Sequence, residues 1–195
     1  MGRALVARIT AITGPTMDLP SIIQSIQASA PGEWMRTSLK AMPIVESIHV
    51  LAAATLFGTI LIVDLRLLGL PDTRRPFTVV SREMLRLTWS AFCVSLIAGM
   101  LMFAANAHTY YGNTAFRLKM LALLGAGVNM ALFQGITFRS VAAWDQNAPP
   151  PLAGRIAGAL SILLWVCVIF FARWVGFTKG YDFAIPQDTH INFQF

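Results

Sequence analysis

The stretch PIVESIHVL, Pro43 to Leu51, sets Glu46 and His49 three residues apart inside an otherwise apolar run. In a helix that spacing puts both side chains on one face. An imidazole can bind a metal through one ring nitrogen while a carboxylate accepts a hydrogen bond from the other, fixing the tautomer. Ionisable residues inside a membrane segment are costly and point to function. The blander reading is a satisfied polar pair anchoring a helix end.

Other polar residues fall near the ends of the remaining apolar runs. His108, Tyr110 and Tyr111 close the second run, Arg117 and Lys119 open the third, and Arg173 and Trp174 close the fourth. If the runs are antiparallel helices rising ~1.5 Å per residue, all of these share one end of a bundle with Glu46 and His49. The chemistry expected there is cofactor binding. His49 is the candidate metal ligand, to the iron of haem b. Glu46 is its orienting partner, and Arg117, Lys119 and Arg173 would neutralise the propionates. His108 belongs to the same candidate site but lies about 10 Å shallower than His49 by helix rise. The second axial ligand is therefore open, with Met102 at a matching depth. The structural alternatives are snorkelling cations and an interfacial belt of tyrosine and tryptophan. No catalytic residues are assigned: there is no nucleophile elbow, phosphate loop or Ser-His-acid set.

The elements that must position these residues are membrane helices. The 195-residue chain is 56% hydrophobic and only 12% charged, whereas a soluble domain is about 25% charged. Its net charge of +6 comes mostly from arginines flanking apolar runs, which fits loops beside anionic lipid and gives no sign of nucleic-acid binding. Four runs reach the ~20 residues a span needs. They are Pro43 to about Leu70, Met84 to Ala107, Phe116 to Phe138 and Leu152 to Phe177. The fold class expected is all-α, an integral membrane antiparallel four-helix bundle. Short interfacial helices, broken by Pro31 and Gly32, should precede the first span, with Trp34 near the membrane surface.

Three regions follow: residues 1–42 as N-terminal extension and interfacial helices, 43–177 as the four-helix domain, and 178–195 as a C-terminal surface arm. The first 16 residues lack the apolar centre of a signal peptide, and Met17 is an alternative start. Arg66, Arg74, Arg75, Arg82 and Arg86 place the LPDTRRPF loop in the cytoplasm, with both termini periplasmic and the chain multi-pass in a bacterial inner membrane. Asp64 and Arg66 read as boundary charges. Gly127, Ala131 and Gly135, and Gly154 and Gly158, read as close-packing faces, and Asn129 as a cross-bundle hydrogen bonder. Cys93 and Cys167 read as packed thiols.

PIVESIHVLAAATLFGTILIVDLRLLGL, YYGNTAFRLKML and RWVGF resemble an uncharacterised four-helix bacterial membrane family, a domain of unknown function, from Met17 to about Phe177. A more distant similarity is to copper-resistance D proteins and to four-helix protoporphyrinogen oxidases. The latter similarity implies haem b held by a first-helix histidine, here His49, with a membrane-edge lysine, here Lys119. The functional expectation is electron transfer as partner of a redox system, more a carrier or accessory subunit than a stand-alone enzyme. Its partners would be the bilayer, a membrane or periplasmic protein or a second copy, and a quinone. The alternatives are a cofactor-free accessory subunit of a larger complex, or copper handling through His49, Met100, Met102 and His108.

Overall fold

The computed structural model describes residues 19–70, 76–145 and 148–178. The leader, residues 71–75 of the arginine-rich loop, and the tail with Lys179 and His190 lie outside them. The described residues form seven α-helices and no strand: α1 Leu19–Gln27, α2 Ala30–Thr37, α3 Ala41–Leu67, α4 Phe77–Ala105, α5 Ala107–Gly112, α6 Thr114–Leu132 and α7 Leu152–Thr178. Helix α6 runs on through a π-helical turn, Phe133–Thr137, into a 3-10 turn, Phe138–Ala143.

Four of these helices are long and apolar enough to cross a membrane: α3, α4, α6 with its extension, and α7. At 27 to 30 residues each, they measure about 40–45 Å, against a hydrocarbon core of about 30 Å. Their outward faces carry Leu51, Ile97, Leu121 and Leu163, each more than half exposed. Apolar surface on that scale is stable only against lipid or another protein. This is an integral membrane protein.

The spans are antiparallel, and three seams between them are packed: α4 on α3, α3 on α7, and α7 on α6. Small residues set the approach. A Cβ added at Gly158 of α7 would lie 3.0 Å from the Asp64 carbonyl oxygen and 3.1 Å from the Leu67 Cβ of α3. The α6 face differs from the one read in sequence. Gly127 and Gly135 have open space beside them and Ala131 is exposed. The packed face carries buried Ala122 and Ala126, with Gly125 against Leu164. Asn129 crosses that seam as expected, its Nδ2 donating to the Ala157 carbonyl at 2.9 Å.

At one end the bundle closes on Phe77, which has no exposed surface. Phe133, Phe138 and Trp144 pack around its ring at 5.1–6.4 Å. Asp145 fixes the start of α4 there. Its carboxylate accepts from the Thr78 N–H and the Thr78 hydroxyl, both at 2.8 Å, and its carbonyl accepts from the Phe77 N–H at 2.9 Å. This tertiary cap explains why α4 begins at Phe77, seven residues before the start expected at Met84. Asp64 and Arg66 are buried here, at 6% and 3% exposure, instead of marking a wetted boundary.

At the other end, α1, α2 and α5 form a short layer against the spans. Pro31 and Gly32 do not break a helix. They lie in the first turn of α2 behind the Ser29 cap, where proline's missing N–H costs nothing. The break falls at Ala28 and Ser29. Arg36 donates to the Gln27 carbonyl at 2.7 Å and the Ala105 carbonyl at 3.1 Å. It thereby ties the C-terminal ends of α1 and α4 together, a favourable place for a cation.

Candidate functional site

His49 lies on α3 about 12 Å from the helix start by rise, facing α4. Its Nδ1–H donates to the main-chain carbonyl of Ser95 at 2.9 Å, with the Ser95 Oγ a further 3.4 Å neighbour. On that side of the ring Gly99 leaves room: a Cβ there would sit 3.2 Å from the His49 Cε1. With Nδ1 committed, a neutral ring carries its lone pair on Nε2. Nε2 has no hydrogen-bond partner among the described residues.

Beside His49 is a cleft of about 760 Å³ lined by all four spans and α5, within the ~300–1,000 Å³ usual for ligand sites. Its volume comes from small residues at facing positions: Ala53 and Ala54 of α3, Gly99 of α4, Ala172 and Gly176 of α7. Phe57, Phe103, Tyr110 and Phe116 supply aromatic walls. The last three pack on one another, Phe103 stacking on Phe116 at 5.6 Å and Tyr110 touching both at 5.3–6.1 Å.

Four residues of the sequence-derived set line this cleft together: His49, Glu46, Lys119 and Arg173. Neither the half-buried Lys119 ammonium nor the Glu46 carboxylate has a hydrogen-bond or ion-pair partner among the described residues. Arg173 lies at the rim over the Phe177 ring, 4.9 Å from its centroid. Met42 and Met102 also line the cleft. Sequence reasoning missed Met42, although its place seven residues before His49 on the same helical stripe could have found it.

Two members of the set are elsewhere. Arg117 turns away, its Nε donating to the Tyr111 carbonyl at 3.0 Å and its guanidinium over the Tyr111 ring at 5.4 Å. Residues two apart on a helix face different sides, so Lys119 pointing inward sends Arg117 outward. His108 is exposed on α5, and its main-chain N–H donates to the Gln27 side chain at 3.0 Å. Glu46 makes no hydrogen bond to the His49 ring among the described residues; the ring nitrogen bonded there is Nδ1, to the Ser95 carbonyl.

The copper set does not assemble. Met100 is 63% exposed, His108 lies outside the cleft, and no cluster of three or more His, Cys, Asp or Glu able to hold a metal occurs among the described residues. The cysteines are free. Cys93 faces outward instead of packing inside, and Cys167 is partly buried.

A family model covers residues 32–178, from the first turn of α2 to the last residue of α7. The chain belongs to DUF6644, a family of unknown function. The DUF6644 region thus contains the whole cleft and leaves α1 outside. No curated protein and no solved structure matches the chain. The comparisons show no similarity to copper-resistance D proteins or to haem-binding oxidases.

Proposed function

We propose that the cleft is a haem-b site and that the protein serves electron transfer as a membrane partner of a redox system. The observation that carries this reading is the His49 ring: Nδ1 is committed to a main-chain carbonyl, and Nε2 is left for a ligand beside a roomy, aromatic-walled cleft. An imidazole held through its far nitrogen by a carbonyl is the arrangement that orients a metal-binding histidine and raises its basicity.

The rest of the cleft fits the group. Lys119 and Arg173 supply two cations with no carboxylate partner, matching two propionates. Gly99 and the alanines leave room for a flat ring, and Phe57, Phe103 and Phe116 offer faces to pack on it. Bound here, haem b supplies one-electron redox chemistry. The chain itself orients the ligand through Ser95, holds the propionates and keeps bulk water off the ring with apolar walls. The arginine-rich loop favours placing the cleft in the periplasmic half of an inner membrane, with a periplasmic protein or a quinone as exchange partner.

The test is the haem content of full-length protein, expressed with ample haem and purified in mild detergent. The expected result is close to one haem per chain, lost in His49→Ala. A colourless, haem-free wild type overturns the reading.

A further inference from the structure

Only three of the four seams in this bundle are packed. Helices α4 and α6, which flank the cleft, form no extended contact. Their aromatic side chains meet near the two ends, Phe103 on Phe116 at 5.6 Å and Phe77 on Phe133 at 6.0 Å. Between these contacts the backbones stay apart, and Gly99 and Met102 of α4 and Lys119 of α6 line the cleft.

The end of the bundle next to His49 is covered differently. Phe103, Tyr110 and Phe116 form a packed aromatic roof. Helices α1, α2 and α5 lie at that end, and Arg36 ties α1 to the end of α4. A ligand arriving from water across that end meets the roof, whereas one arriving from lipid between α4 and α6 meets the unpacked seam.

We infer that the open α4–α6 seam is the way into the cleft, so that the site is loaded sideways from the bilayer with a membrane-dissolved anionic amphiphile. The inference rests on the cofactor reading of the cleft and adds where the ligand comes from. Charge selects an anion: Lys119 and Arg173 face the cleft against the single carboxylate of Glu46. Depth selects a lipid-dissolved molecule. By helix rise Lys119 stands ~7.5 Å and His49 ~12 Å inside the ends of their spans, so the ligand's apolar body would lie level with the acyl chains. A bilayer concentrates such a molecule beside the seam, and a soluble anion gains nothing from it.

The test uses the full chain, emptied of ligand, in phosphatidylcholine vesicles, with haemin as probe. Haemin is delivered either dissolved in the protein's own bilayer or from water bound to albumin, and loading is followed by the growth of the haem absorption band. The expected rate rises with the haemin fraction in the bilayer at constant aqueous haemin. A rate that follows aqueous haemin alone overturns sideways loading while the final absorbance still supports the haem site. No absorption band from either source, even at saturation, overturns both. A stable dimer sealed along α4 and α6, seen by native mass spectrometry and unaffected by haemin, also overturns it, because the seam would then belong to a second copy.

Discussion

The His49 Nδ1 donates to the main-chain carbonyl of Ser95, 2.9 Å away on the neighbouring span. Because the acceptor is backbone, the side chain at position 95 is dispensable to the bond. Ser95→Ala should keep its full haem content and lose at most about 1 kcal/mol of stability, the net worth of one hydrogen bond. Haem-to-protein ratio and thermal denaturation in detergent check this. Loss of pigment in Ser95→Ala would move the orienting role to the hydroxyl.

Gly99 matters through the space it leaves. Any side chain there presses on the His49 ring, starting with a Cβ 3.2 Å from Cε1. Haem occupancy should fall in steps from glycine to alanine to valine at this position. Gly127→Ala, where nothing lies within 4 Å, should bind as wild type does. Equal behaviour of the two glycines would contradict the contact.

The cations divide by where they point. Lys119→Ala should weaken haemin binding about tenfold, a loss near 1.4 kcal/mol and at the low end of a charge-assisted bond. Arg173 is exposed, so its loss should cost less, a few-fold at most. Arg117→Ala and His108→Ala should leave the affinity unchanged. Haemin titrations of the four variants measure this. A loss in Arg117→Ala matching that in Lys119→Ala would show that the cleft is not the binding site.

The four spans were legible in the sequence as long apolar runs, and so was His49 as an ionisable residue inside one of them, which the structure places in the cleft. The Ser95 contact was not, since every residue offers a carbonyl and only the fold selects one. Nor could spacing say which small residues pack: Gly154 and Gly158 face a neighbour, while Gly127, Ala131 and Gly135 repeat the same four-residue interval on an open face. Assigning Arg117 and Lys119 to one site ignored helical phase, which separates residues two apart. The start of α4 was hidden because its cap, Asp145, is 67 positions away from Thr78.

That cap and the tightest seam give a stability prediction independent of any ligand. Asp145→Ala removes the acceptor of the Thr78 N–H and should cost about 1–2 kcal/mol, as losing a helix cap does. Gly158→Ala forces α7 away from Asp64 and Leu67 and should cost about 1–3 kcal/mol by overpacking. Both should lower the denaturation temperature in detergent and leave haem bound in the folded fraction. An unchanged denaturation temperature in Gly158→Ala would mean that α3 and α7 are less closely packed than described.

The most direct measurement is the absorption spectrum of the purified, dithionite-reduced protein beside that of His49→Ala prepared identically. A haem-b site held by His49 predicts sharp b-type bands in the wild type that vanish in a variant still folded by circular dichroism. A wild type without bands, or bands that persist in His49→Ala, would contradict it.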